Sequence, residues 1–172
     1  MAMRTALTQR GEWSAAQAIP PSTIVVLSIF SVLPLRVPDY AAVTPLLPLA
    51  GIYYWTIYRP EWLPPLVTFL CGLVLDLLTG APLGVSSLLF LLARTAVFSQ
   101  RRFFINRLFP FMWGGFTLLA AAAIAFLWLL GGFIEGAMLD TRAVTLQWVL
   151  TVACFPAVSY LLMRIQRRLL PS

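Results

Sequence analysis

From Thr23 to Met163 the chain is a succession of apolar runs, with charge confined to short breaks between them, to a tail at each end, and to two exceptions, Asp76 and Arg94. This pattern constrains the fold more than any motif, because apolar segments approaching about 20 residues are the length of a bilayer-crossing helix. Only 10% of the 172 residues are charged and 60% are hydrophobic. An ordinary soluble domain carries about 25% charge. The expectation is therefore an all-α integral membrane protein, a compact bundle of six transmembrane helices with no sizeable soluble domain. Its divisions are a cytoplasmic arm over residues 1–21, a six-helix domain over 22–163 and a basic tail over 164–172. The arm lacks the cleavage pattern of a signal peptide and is read as retained.

The apolar runs place helices at about Thr23–Leu35, Val43–Tyr58, Leu63–Leu78, Val85–Phe98, Phe109–Phe133 and Val144–Met163. Pro45 and Pro48 fall in the first turns of the second helix, and Pro64 and Pro65 in the first turn of the third, where a missing amide is tolerated. Tyr53, Tyr54, Trp55 and Tyr58 crowd the end of the second helix and read as an interfacial aromatic belt. Gly114, Thr117, Ala121 and Ala125 share a face of the fifth helix, which reads as a surface for close helix approach. Pro156 predicts a kink in the sixth.

The net charge of +6 comes from 12 arginines against 6 acids, with no lysine or histidine. With a cytoplasmic N-terminus, nine arginines (Arg4, Arg10, Arg59, Arg101, Arg102, Arg107, Arg164, Arg167, Arg168) fall inside and two (Arg36, Arg142) outside. That asymmetry puts both termini in the cytoplasm. Arg94 is expected to snorkel towards the Gln100–Arg107 loop. There, arginines beside Phe103 and Phe104 suit a segment on an anionic leaflet, and equally a plain positive-inside loop. A nucleic-acid footprint is not expected, because the arginines are dispersed among loops and tails.

No catalytic set emerges. Without His or Lys the hydroxyls have no ordinary base, and Cys71 and Cys154 lie in apolar runs, which argues for buried, inert thiols. No cofactor or metal is expected. The residue that stands out is Asp76, within Thr68–Val85, because a carboxylate in hydrocarbon costs about 2.5–3.5 kcal/mol. Thr68, Gly72, Asp76 and Gly80 recur at helical spacing on one face, and Gly80, Pro82 and Gly84 then end the helix. Asp76 so placed suits either a structural role, hydrogen-bonding the neighbouring turn, or an ion or proton path.

The block Tyr58-Arg59-Pro60-Glu61-Trp62, followed by Gly72, Leu75-Asp76-Leu77, Gly80 and Leu83-Gly84-Val85, resembles the rod shape-determining MreD family. The shared pattern is an R-P-x-W turn, then a G-x-x-x-D-x-x-x-G-x-x-x-G helix and break, with a similar basic end after Leu161-Leu162-Met163-Arg164. The resemblance implies a non-enzymatic component of the bacterial inner membrane that takes part in cell elongation. It implies a direct partner in MreC, with MreB and the elongation glycosyltransferase and transpeptidase reached directly or through MreC. It also implies a fold similar to the substrate-binding subunit of energy-coupling-factor transporters, which keeps a small-molecule-binding or transport subunit as the alternative. By the same resemblance Arg59, Pro60, Trp62, Gly72, Asp76, Gly80, Leu83 and Gly84 are the structural or partner-organising residues.

Overall fold

The computed structural model describes residues 18–32, 44–104, 109–135 and 141–169. The arm before residue 18, the turn expected at Pro34–Asp39, Arg107 and most of the polar loop expected at Glu135–Arg142 therefore lie outside the described residues. Six α-helices are described: α1 Ile19–Val32, α2 Leu47–Tyr58, α3 Pro65–Thr79, α4 Val85–Phe104, α5 Phe109–Glu135 and α6 Thr141–Leu169. A 3-10 turn, Pro60–Trp62, separates α2 from α3.

The fold is all-helical and membrane-associated. Among the described residues two helical stretches, Pro110–Phe133 and Thr141–Arg168, are long and apolar enough to cross a membrane, while Ile19–Val32 and Pro65–Thr79 are shorter apolar helices. The central α2 has 12 residues, about 18 Å at the α-helical rise. At the C-terminus, α6 continues through Arg164, Arg167 and Arg168 to Leu169, past the expected end at Met163. Likewise α4 extends to Phe104, so Arg101 and Arg102 sit on its last turn rather than in a loop.

The helices close two rings. In the first, α1 packs on α2 and α3, and both α2 and α3 pack on α4; in the second, α2 and α4 are joined by α5 and α6. Because α2 borders both rings, it is buried on every side from Pro48 to Ile57. This corrects the aromatic-belt expectation. Tyr53, Tyr54 and Trp55 are core residues, exposed by 5% or less, and only Tyr58 reaches the surface. A helix with neighbours all round has no water-facing side for a belt, and each aromatic tip finds an acceptor on another helix. Tyr53 Oη donates to the Met112 carbonyl at 2.9 Å, Tyr54 Oη to Gln166 Oε1 at 2.9 Å and Trp55 Nε1 to Thr23 Oγ1 at 3.0 Å. Tyr53, Phe116 and Phe155 join α2, α5 and α6, the two phenylalanines stacked at 4.2 Å.

The N-terminus of α2 has no local capping side chain. Its first amides are satisfied from distant helices instead. Leu47 N–H donates to Ser31 Oγ of α1 at 3.1 Å, and Leu46 N–H to Thr151 Oγ1 of α6 at 3.0 Å. Gln147 Nε2 also donates to the Thr44 carbonyl at 2.9 Å.

The small-residue face of α5 meets a neighbour along only part of its length. Gly114 and Ala125 are exposed, and a Cβ on Gly114 would meet nothing within 4 Å. The side of α5 that packs inward carries Met112, Phe116, Ala120, Ala123 and Ile124. The stripe is divided: Ala121 and Ala125 line a groove against α6 and the Thr117 carbonyl accepts from Trp148 Nε1 of α6 at 3.2 Å, while the bulkier face carries the buried apolar side chains. Pro156 lies within α6 and has no amide for the Val152 carbonyl one turn earlier. Trp113 Nε1 of α5 donates to that carbonyl at 3.2 Å, replacing the missing bond across the helix pair.

Candidate functional site

The junction of α3 and α4 is built around Asp76, which is fully buried. Its Oδ2 accepts from Gly84 N–H at 2.7 Å and its Oδ1 from Ser86 N–H at 3.0 Å. These are amides at the start of α4, which have no intrahelical acceptor. A carboxylate there also faces the positive end of the helix dipole. Asp76 therefore caps α4 from the last full turn of α3.

Backbone geometry makes the reach possible. α3 ends on Gly80 in the left-handed region, φ +70°, and Gly84 follows at φ +101°, conformations that L side chains rarely adopt. The two glycines fold the chain back over Asp76 within eight residues. Along the hairpin, α3 and α4 touch backbone to backbone at Gly72. A Cβ there would lie 2.4 Å from Ser87 Cα and 2.6 Å from Ser87 N. Ser87 Oγ donates to the Phe69 carbonyl at 3.0 Å, and Thr68, also fully buried, donates through Oγ1 to the Pro64 carbonyl at 3.2 Å. The small polar face of α3 is thus the seam with α4.

Arg59, Pro60 and Trp62 form a second group at the other end of α3. The Arg59 guanidinium lies 4.9 Å from the centre of the Trp62 ring and 3.9 Å from Glu61, while Pro60 is buried. Trp62 N–H donates to the Arg59 carbonyl at 3.1 Å, closing the turn. Arg94 joins this end. Its Nε donates to the Leu63 carbonyl at 2.7 Å, which ties α4 across to the start of α3. Arg94 thus extends towards the end of the bundle where α4 finishes, and the hydrogen-bond partner it finds there is the turn carbonyl before α3. Phe98 lies beneath both Arg94 and Arg101, at 5.6 and 5.4 Å.

The structure thus splits the eight sequence-derived residues. Asp76, Gly80 and Gly84 form one knot, with Gly72 a turn below it. Arg59, Pro60 and Trp62 lie about 20 Å away, the length of the intervening helix. Leu83 makes the knot's outer surface at 69% exposure, and Leu77 of α3 is exposed as well. Sequence reasoning missed Ser86, Ser87 and the Arg94 contact with Leu63. The place of Asp76 before the glycine break pointed to a bond with the neighbouring turn, but not to the Ser86 amide as its donor.

Among the described residues no group of three or more His, Cys, Asp or Glu could hold a metal ion. A cavity of about 540 Å3 opens between α2, α5 and α6 at the Arg59 end, and a smaller groove of about 240 Å3 lies between α5 and α6 beside Ala121, Trp128 and Trp148. The family model for the rod shape-determining protein MreD matches residues 15–165, which takes in five of the helices and all but the last turn of α6. No curated protein and no solved structure matches the chain.

Proposed function

The chain belongs to the MreD family of rod shape-determining proteins, and on that premise we propose that it is a membrane organiser of the bacterial cell-elongation machinery. In this reading it binds MreC directly, and it reaches MreB and the glycosyltransferase and transpeptidase of lateral peptidoglycan synthesis directly or through MreC. Members of the family are not enzymes. The observation that carries the proposal is the match over residues 15–165, nearly the whole helical domain.

The Asp76 knot supports organisation over ion carriage. Both carboxylate oxygens are occupied by backbone amides, and the group is shut off from solvent. A carrier group needs an open face to exchange its ion; this carboxylate instead stiffens a helical hairpin. On the proposal, Gly72, Asp76, Gly80 and Gly84 fix that hairpin, Leu83 is the surface it displays, and Arg59, Pro60 and Trp62 brace its far end. The inner-membrane topology proposed is six passes with both termini cytoplasmic. It is supported by the arginine asymmetry and by geometry: Tyr58 and Arg167 line one cavity and Arg94 bonds Leu63, so the Arg59, Arg94 and C-terminal arginines share one end.

The test is purification in mild detergent with identification of co-purifying chains, alongside depletion in rod-shaped cells. MreC should co-purify and depleted cells should round up. Absence of MreC together with unchanged cell shape would rule the reading out. Cysteine labelling should find both termini inside; external labelling of either would overturn the topology alone.

A further inference from the structure

We propose that the cavity between α2, α5 and α6 is a binding site for a phospholipid with an anionic headgroup. Its volume, about 540 Å3, falls within the roughly 300–1,000 Å3 of ligand pockets. The walls divide by chemistry. Met112 and Met163 supply an apolar, adaptable surface suited to an acyl chain. Tyr58, Gln166 and Arg167 bring polar groups to the same opening.

Charge selects the occupant. Arg167 makes no ion pair with a carboxylate among the described residues, and Glu61, a carboxylate at this end, already lies 3.9 Å from Arg59. Gln166 spends its Oε1 on the Tyr54 hydroxyl at 2.9 Å, which turns a fixed amide and leaves its N–H groups to donate. An arginine and an amide donor above an apolar cleft match a phosphate above an acyl chain. Snorkelling arginine at a helix end sits at headgroup depth. The proposal rests on the chain lying in a bilayer and not on its partners, so it and the proposed function fail separately.

The test uses the full chain in nanodiscs of equal parts phosphatidylglycerol and phosphatidylcholine, released into native mass spectrometry to count retained lipids. Wild type should retain phosphatidylglycerol preferentially. Arg167→Gln should reduce that preference about fivefold, the effect of one surface arginine, and Arg167→Lys should keep most of it. Arg101→Gln, on α4 and outside the cavity, should lower the preference less than Arg167→Gln does; an equal loss in the two variants would mean general surface attraction and overturn the site. Met163→Trp, which fills the cleft, should lower retention of both lipids; its melting temperature is measured alongside, and Arg167→Gln, at an exposed position, decides the matter if the tryptophan variant does not fold. Equal retention of the two lipids by wild type, or an unchanged preference in Arg167→Gln, would overturn the proposal. So would a photo-crosslinker at Met163 that captures a protein chain in place of lipid.

Discussion

Gly72→Ala is the smallest change that tests how the α3–α4 hairpin is held. The new Cβ would sit 2.4 Å from Ser87 Cα, 2.6 Å from Ser87 N and 2.9 Å from the Ser86 carbonyl carbon, where ordinary contact begins at 3.4 Å. All three neighbours are backbone, so no side chain can swing aside; the helices must separate by about 1 Å to restore contact. Asp76 lies one turn further along the same face. Its 3.0 Å bond to Ser86 N–H would stretch to about 4 Å and cease to be a hydrogen bond. Overpacking costs about 1–3 kcal/mol, and a buried amide without an acceptor about 1–3 kcal/mol more. The total, about 2–6 kcal/mol, is a large part of the roughly 5–15 kcal/mol that holds a domain together. Thermal unfolding in mild detergent should show a fall on the order of 10 °C. Gly114→Ala, where a Cβ meets nothing, should leave the melting temperature unchanged or raise it slightly. If Gly72→Ala melts with the wild type, the backbone contact and the linkage from it to Asp76 are both wrong.

Other substitutions probe the remaining ties. Asp76→Asn keeps one acceptor for two amides and should cost about 1–3 kcal/mol, with Asp76→Leu costing about twice that; equal stability of the two variants would show that Asp76 does not cap α4. In reconstituted vesicles, proton flux by wild type that Asp76→Asn abolishes without loss of the proposed MreC binding would reverse the preference for organisation. Trp113→Phe should cost about 0.5–1.5 kcal/mol by orphaning the Val152 carbonyl, and most of that cost should vanish in a Pro156→Ala background, which restores the helix's own donor. A Trp113→Phe cost independent of residue 156 in the double-mutant cycle would disprove the replacement. Arg94→Met should free the Leu63 carbonyl at a cost of about 1 kcal/mol and speed labelling of a cysteine placed at position 61; unaltered labelling would mean that Arg94 does not brace the turn.

Six helices and their order were legible from apolar runs and proline placement, and the break after Thr79 from Gly80, Pro82 and Gly84. Asp76 could be singled out because it is a lone carboxylate on a small-residue face. Its donor partners could not be read, since they are backbone amides that arrive only through two left-handed glycines. The α2 aromatics misled for a different reason. The helix is apolar all round, so periodicity carries no direction, and the same side chains suit a lipid interface or a core. In α5 the small-residue stripe and the buried face, Phe116 and Ala120 among its members, occur on one helix, and spacing alone does not say which side is buried more deeply. The cavity beside Arg167 was hidden altogether, because it brings together residues from Tyr54 to Arg167.

The caps on α2 and α4 close on very different schedules as the chain leaves the ribosome. Asp76 meets Ser86 across 10 residues, so the α3–α4 hairpin can lock almost as soon as its second helix begins. Leu46 waits for Thr151, 105 residues later. At about 5–20 residues per second, the start of the central helix goes without its final acceptor for about 5–20 s. During that interval its amide must borrow from water or from the insertion machinery, and the most deeply enclosed helix of the protein is among the last to be finished.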